Sequence, residues 1–322
     1  MKTILVAGGA GYIGSHVVWE LIKKYNVIVI DNLSTGHKEV LPKEVKFVLG
    51  NITNDNDLDK VFKENKIDCV MDFAAKIVVP ESVSNPLDYY HNNTEGVRLI
   101  IKNMVKYNVK NIVFSSTAAV YGQPEDGVCN EDSTLKPINP YGESKLASEK
   151  LIQWCSQAYG FNYFIFRYFN VAGADSKLRT GLISKKLTHI IPIINRSIIE
   201  DSVFTIYGND YKTQDGTCIR DYVHVSDIAL AHVKGLEYLF KEHKSNIANL
   251  GSNNGFSNKE IVDEALKFKK FKYVYGPRRE GDPDMLIASN NKAKELLNWT
   301  PKKSLKEMIE SDYKFRKMNE QK

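Results

Sequence analysis

Seven residues constrain this chain more than any others: Gly8-Gly-Ala-Gly-Tyr-Ile-Gly14, directly after the apolar run at 3–7. Read from Gly9 they satisfy G-x-G-x-x-G, and read from Gly8 they satisfy G-x-x-G-x-x-G. A strand that turns this tightly into a helix lets backbone approach a pyrophosphate, and only missing side chains permit the approach. The helix amino terminus then offers N–H groups to the phosphates. A second apolar run ends in Asp31. A carboxylate at that point accepts the adenosine ribose hydroxyls and repels a 2′-phosphate, which favours NAD over NADP.

Short apolar runs alternate with amphipathic stretches over the first half. The runs at 3–7, 27–30, 46–49, 69–73, 111–115 and 163–168 are rich in Val, Ile and Phe and show little alternation, as strands buried on both faces do. Helical spacing is expected at 13–24, 58–64, 93–107 and 141–159. Strand alternating with helix argues for an α/β fold with a doubly wound parallel sheet, Rossmann-like, whose ligand crevice lies at the strand carboxyl ends.

After about residue 170 the pattern loosens. Residues 173–221 read as loop, with a helix near 190–197 and a strand at 203–207. A helix is expected over 223–240, a late strand at 248–251, a helix at 257–268 opened by a Ser257/Glu260 capping box, and a final helix at 301–315. The expected organisation is a dinucleotide-binding domain over 1–170, with a return segment near 223–250. A smaller, discontinuous substrate lobe occupies 171–322.

Bulk properties exclude several classes. The net charge of +5, from 44 basic and 39 acidic residues, is small and dispersed, so neither a nucleic-acid nor a membrane surface is implied. No apolar stretch approaches the ~20 residues of a membrane span. Cys69, Cys129, Cys155 and Cys218 form no C-x-x-C pair, and His16, His189, His224 and His232 lack metal-ligand spacing, so no metal is expected. No secretory h-region precedes the first strand, and a cytoplasmic protein is expected.

Tyr141 and Lys145 stand four residues apart, on one face of the expected helix. A tyrosine ordinarily ionises near pH ~10. An ammonium beside it favours the phenolate and would make the pair a base near neutral pH. Thr117 closes the fifth strand, where its hydroxyl can hydrogen-bond a substrate oxygen beside Tyr141. Ser115 and Ser116 are read as satisfying backbone groups.

Motifs spread over nearly the whole length resemble the extended short-chain dehydrogenase/reductase superfamily, and within it the UDP-glucose 4-epimerase family. They are Gly8 to Gly14, Asp31-Asn-Leu, Phe73-Ala-Ala, Pro86-Leu-Asp-Tyr-Tyr-His-Asn-Asn93, Phe114 to Gly122, Tyr141 to Lys145, Arg167-Tyr-Phe-Asn-Val-Ala-Gly173, Tyr207-Gly-Asn-Asp-Tyr, Asp215-Gly-Thr-Cys-Ile-Arg-Asp-Tyr-Val-His224 and Pro277-Arg-Arg-Glu-Gly-Asp282.

That resemblance implies an NAD-dependent isomerase that interconverts UDP-glucose and UDP-galactose through a transient 4-keto sugar. Tyr141 would take the proton of the sugar 4-hydroxyl. Lys145 would bind the nicotinamide ribose and hold Tyr141 as phenolate, with Thr117 as the third catalytic contact. Cofactor contacts are implied at Gly8, Gly11, Tyr12, Ile13, Gly14, Asp31, Asn32, Asn51, Ile52, Phe73, Ala74, Ala75, Asn92, Ser115 and Tyr168. UDP-sugar contacts are implied at Asn170, His189, Ile190, Thr205, Tyr207, Arg220, Arg279, Asp282 and Leu286, besides Thr117 and Tyr141. Two arginines suit a pyrophosphate, because each guanidinium fork pairs with its oxygens.

Departures from the family pattern are local. Asn51 replaces a frequent Asp, Thr117 replaces a frequent Ser, and Ile77 occupies a place where some members carry Lys. The resemblance places Leu286 at the position where a Tyr, Cys or Ser gates the sugar pocket. Its intermediate size leans towards tolerance of UDP-N-acetylhexosamines. The family's dimer, built from two helices per subunit, is also implied; the stripe Val97, Ile100, Ile101 and Met104 would serve either that interface or the core.

Three alternatives remain at this level. A UDP-glucuronate or UDP-pentose 4-epimerase would share the base. A nucleotide-sugar 4,6-dehydratase is disfavoured by Ala118-Ala119, where an acidic pair is expected. A catalytically silent NAD-binding protein is disfavoured by the intact Tyr-Lys pair.

Overall fold

The computed structural model describes residues 1–124, 126–184, 186–279 and 282–320. The elements in chain order begin with β1 (Thr3–Ala7), α1 (Tyr12–Leu21), β2 (Asn26–Asp31), β3 (Lys46–Leu49), α2 (Asp55–Glu64) and β4 (Cys69–Asp72). Then come α3 (Val79–Ser84), α4 (Pro86–Tyr89), a π-helical turn (Tyr90–Glu95), α5 (Gly96–Lys106), β5 (Asn111–Thr117), β6 (Val128–Cys129), α6 (Pro140–Tyr159) and β7 (Asn162–Tyr168). The remainder is β8 (Asn170–Ala172), α7 (Ile190–Ile199), β9 (Phe204–Tyr207), β10 (Ile219–His224), α8 (Val225–Glu242), β11 (Asn246–Leu250), β12 (Gly255–Ser257), α9 (Asn258–Phe268), β13 (Tyr273–Gly276), β14 (Met285–Ala288), α10 (Asn291–Leu297) and α11 (Leu305–Glu320).

The chain divides into two compact units. The first comprises Met1–Gly122, Thr134–Arg167 and Ala229–Ala248; the second comprises Gln123–Ser133, Tyr168–Ile228 and Asn249–Lys322. Residues 123–133 therefore cluster with the second unit although they fall within the 1–170 span.

A seven-stranded sheet in the order β11-β7-β5-β4-β1-β2-β3 organises the first unit. The pairs β1–β2, β1–β4, β2–β3 and β4–β5 are parallel. Strand order reverses at β1/β4, the topological switch point where doubly wound sheets hold their ligands. The central strands are apolar throughout because both faces are covered: Ile4, Leu5, Val6, Val70, Met71, Ile112 and Val113 are all at 0% exposure. Val97, Ile100, Ile101 and Met104 of α5 pack into this core with Leu5, Leu58 and Phe62. The α5 stripe is thus spent on the interior of the subunit, and it cannot also form a dimer face.

In the second unit a sheet runs β12-β10-β14-β6, with β8 also pairing β10, and β13 pairs β9 separately. The expected helix over 223–240 begins later. Ile219–His224 is strand β10, in parallel register with both β8 and β14, and α8 opens at Val225. Pairing of Val223 and His224 with β8 overrides the helical spacing at the start of the expected helix, and 219–221, which reads as loop, belongs to the same strand. The capping box forms as expected: Ser257 Oγ accepts from Glu260 N at 3.0 Å, and Glu260 accepts from Ser257 N at 2.7 Å. Among the described residues no helix is long and apolar enough to cross a membrane.

Candidate active site

The first unit gathers the glycine-rich turn, Asp31 and Phe73-Ala-Ala at the carboxyl ends of β1, β2 and β4. Gly8 has φ +70°, and a Cβ there would stand 2.6 Å from Ala74 N. A Cβ on Gly14 would stand 2.3 Å from Gly8 O. Both positions therefore demand glycine, and the cradle they leave is shaped for backbone approach to phosphate. Tyr12 and Ile13 open α1, and among the described residues no side chain caps that helix. Asp31 is 8% exposed; its carboxylate accepts from Ala10 N at 3.0 Å and Leu33 N at 2.8 Å. Asn32 accepts from Ser34 N at 2.9 Å, and Asn51 from Thr53 N at 3.1 Å. Ile52 is buried at 4% exposure. Asn92 donates to Asn93 at 3.0 Å. A dinucleotide fits this donor set and cradle, with Asp31 facing the second strand's end where a ribose would lie.

Tyr141 and Thr117 also meet within the first unit, with Lys145 one turn further along the same helix. Pro140 fills the first position of α6, Asn139 Oδ1 caps it by accepting from Gly142 N at 2.9 Å, and Gly160 ends it in the left-handed region. This fixes the phase of α6 and puts Tyr141 in its first turn. Thr117 ends β5, where its Oγ1 accepts from Ala119 N at 3.1 Å. Burial raises the Tyr141 phenol above its ordinary value, and a hydrogen bond to Thr117 opposes that rise. The Tyr141 ring stands edge-on to Tyr89, centroids 6.5 Å apart.

Lys145 is 3% exposed, its Nζ lying 4.3 Å from the centre of the Phe114 ring. Burial lowers its ammonium to about 8, opposed by the charges of Asp72 and Glu149. The phenol is therefore raised here rather than brought towards neutrality. The charges coupled to Lys145 are carboxylates, and the group acting on the phenol oxygen is Thr117.

A buried network that sequence reasoning missed lies behind Lys145. Glu149 is at 0% and Arg167 at 2% exposure. Arg167 Nε donates to Glu149 Oε1 at 3.0 Å, Nη2 to Oε2 at 2.6 Å, and Nη1 to the Tyr121 hydroxyl at 3.1 Å. Ser116 donates to Glu149, so its hydroxyl serves this carboxylate and not the backbone. Asp72, at the end of β4, is 1% exposed; burial pushes its carboxyl up to about 6. The signals were present: Glu149 continues the four-residue spacing of Tyr141 and Lys145, and Asp72 and Arg167 are charges inside apolar strand runs.

The second unit holds the remaining predicted residues. Arg220 and Leu286 lie side by side in register on β10 and β14. Arg220 Nη1 donates to Ile219 O at 2.9 Å and Pro283 O at 2.8 Å, while Nη2 lies 3.7 Å from Asp282. The Arg279 guanidinium stacks 4.3 Å from the centre of the Tyr207 ring. Arg278, Arg279, Lys212 and Asp282 line a cavity of about 790 Å³. Asn170 donates to Asp221 O at 3.1 Å. His189 precedes α7, Ile190 begins it, and Thr205 sits on β9 beside Gly276. Tyr168 is buried at 7% exposure. Glu280 and Gly281 of the 277–282 motif lie outside the described residues.

Known proteins share this fold. A model of the NAD dependent epimerase/dehydratase family matches residues 4–251. The chain is 46% identical over 319 residues to a UDP-glucose 4-epimerase of Lactobacillus helveticus, covering 98% of this chain and 97% of the relative. Among solved structures it is similar to a UDP-glucose 4-epimerase from Bifidobacterium longum in complex with NAD+ and UDP, with 33% identity, a TM-score of 0.92 and 99% of each chain covered. It is also similar to the UDP-Glc/GlcNAc 4-epimerase from the human pathogen Campylobacter jejuni, with 40% identity, a TM-score of 0.87, and 99% of this chain and 100% of that one covered.

Proposed function

From the premise that this chain belongs to the NAD dependent epimerase/dehydratase family, and within it to the UDP-glucose 4-epimerases, we infer a reaction and a role for each site residue. The chain is an NAD-dependent isomerase that interconverts UDP-glucose and UDP-galactose. The observation that carries the assignment of roles is the Tyr141 phenol hydrogen-bonded to Thr117, with Lys145 one helical turn further on.

Gly8, Gly11 and Gly14, with the first turn of α1, hold the cofactor's pyrophosphate, and Asp31 holds its adenosine ribose. When bound, NAD would supply reversible hydride transfer at C4, so that no net oxidation remains. Tyr141 removes the proton from the 4-hydroxyl and later returns it to the 4-oxygen. Thr117 hydrogen-bonds that oxygen and steadies the phenol. Lys145 binds the nicotinamide ribose and adds positive charge where the phenolate forms.

Epimerisation requires the 4-keto sugar to turn over in the site, so that hydride returns to the face opposite the one it left. Binding energy therefore concentrates on the nucleotide end and leaves the hexose loosely held. Arg220 and Arg279 pair with the diphosphate, and Asp282 with the uridine ribose. Asn170, His189, Ile190, Thr205 and Tyr207 complete the nucleotide contacts. Leu286 borders the sugar, and its moderate bulk leaves room for an N-acetyl group. The 40% identity to an epimerase named for both UDP-Glc and GlcNAc accords with that reading.

A homodimer through α5 and α6 is part of the reading. With the α5 stripe buried, its apolar contribution falls to Trp154 of α6, 70% exposed, and Val105 of α5, 41% exposed. Sedimentation velocity of Trp154→Glu against the parent chain tests it: a dimer that persists unchanged excludes this face. A reducing, cytoplasmic setting suits the four free thiols.

The reaction is tested by incubating the purified, NAD-loaded chain with UDP-galactose and following UDP-glucose through its coupled oxidation. Conversion in both directions is expected, and no conversion overturns the assignment.

A further inference from the structure

We propose that Asp72 is a positioning residue for Lys145: its buried carboxylate at the carboxyl edge of β4 is the counter-charge that keeps the lysine an ammonium. The proposal rests on the role of Lys145 given above and deepens it.

Asp72 lies opposite Phe114 in the β4–β5 register, and the Phe114 ring carries the Lys145 Nζ at 4.3 Å. Asp72 Oδ1 accepts from Ala74 N at 3.0 Å. Its Oδ2 is buried with no hydrogen-bond partner among the described residues. A buried carboxylate without a cation or a full set of donors is costly and ordinarily neutralises.

The groups facing Lys145 decide which one balances it. From its own helix come Glu149, one turn on, and Tyr141, one turn back. From β5 comes the Phe114 ring, and from β4 comes Asp72. Glu149 is already held by the Arg167 fork and by Ser116, so its charge is neutralised within its own pair. Among the described residues Asp72 has no comparable cation. The electrostatic coupling between Asp72 and Lys145 is the one that remains to be satisfied.

Both groups are charged only in a window. As pH falls through about 6, the Asp72 carboxyl takes up a proton and Lys145 loses its counter-charge. As pH rises through about 8, Lys145 becomes neutral. The two midpoints belong to the coupled pair. Asp72 thereby sets the acid limit of the state in which Lys145 can support a phenolate at Tyr141.

Titration by carbon NMR tests this without catalysis, so its failure is distinguishable from failure of the proposed reaction. Protein labelled at lysine Cε and, separately, at aspartate Cγ is titrated as parent, as Asp72→Asn, which keeps the acceptor for Ala74 N, and as Lys145→Met; each variant assigns the resonance of the residue it removes. The Lys145 midpoint is expected to fall by roughly one unit or more in Asp72→Asn, as for loss of an opposite charge nearby. The coupling is reciprocal, so the Asp72 carboxyl midpoint in Lys145→Met is expected to rise by a similar amount. The alkaline limb of kcat/KM should move down with the lysine. If Asp72→Asn does not fold, the Lys145→Met arm decides alone. An unchanged lysine midpoint, or an unchanged Asp72 midpoint when the lysine is removed, overturns the proposal.

Discussion

Arg167 grips Glu149 with both Nε and Nη2, and neither side chain is more than 2% exposed. Two charges removed from water in this way are tolerable only as a complete pair. The Arg167 guanidinium is accordingly held above its ordinary value by Glu149, against the opposing effect of burial.

Breaking the pair on one side should therefore cost far more than a surface substitution. Glu149→Gln leaves a buried guanidinium short of its counter-ion, and a loss of roughly 3–5 kcal/mol is expected in urea unfolding. The joint replacement Glu149→Leu with Arg167→Met should recover part of that loss. Equal destabilisation by the single and joint changes would mean that the pair contributes packing alone.

Gly8 and Gly160 both sit at positive φ but differ in their surroundings. A Cβ at Gly8 meets backbone at 2.6 Å, whereas nothing lies within 4 Å of one at Gly160. Gly160→Ala should cost only the left-handed backbone term, about 1–2 kcal/mol, with NAD content unaffected. Gly8→Ala should cost more and should abolish NAD retention on purification, because the phosphate cradle must open. Melting temperature and bound-cofactor absorbance, measured on both variants, separate strain from loss of the site.

Much of this was legible in the sequence. β1 and β3 run over the expected residues, and β2, β4, β5 and β7 differ from expectation by one or two residues at their ends, because continuous apolar runs between helical stretches specify a parallel sheet. The second unit was harder to read. β8, β10, β12 and β14 are short, and their pairing is set by partners distant in sequence, so 219–221 read as loop and Val223 and His224 took on the appearance of the helix that follows them. At the site, Tyr141, Lys145 and Thr117 announced themselves by type and spacing. Asp72, Glu149 and Arg167 left fainter marks, a charge inside an apolar run or the next step of a four-residue spacing, because their importance lies in burial, which no local pattern reports in full. The expected effect of Lys145 on the phenol also changed once its ammonium was seen to be coupled to two carboxylates.

Lys145 gives the pH dependence of stability a definite sign. Its folded value of about 8 lies below its ordinary 10.5, so the native state releases this proton first. Stability from this group is fully present above pH 10.5 and is lost as pH falls through 8. Lys145→Met removes the buried cation, so its advantage over the parent should shrink between those values, by up to about 3 kcal/mol. A stability difference that stays flat across the window would show that Lys145 is not desolvated in solution.

Leu286 adjoins Arg220 on the neighbouring strand, which sets it beside the arginine assigned to the diphosphate. Leu286→Tyr should therefore narrow the sugar pocket while leaving nucleotide contacts intact. The ratio of kcat/KM for UDP-N-acetylgalactosamine to that for UDP-galactose is expected to fall at least about tenfold. An unchanged ratio would place the N-acetyl group elsewhere.

The role of Tyr141 as the proton acceptor at the sugar 4-oxygen is tested most directly by the turnover of UDP-galactose in Tyr141→Phe, measured on protein whose NAD content and UDP affinity match the parent. The account predicts a fall of about 10²–10⁴-fold with both ligands retained. Turnover within a factor of about ten of the parent, where general acid–base catalysis is worth at least ~10²-fold, would contradict it.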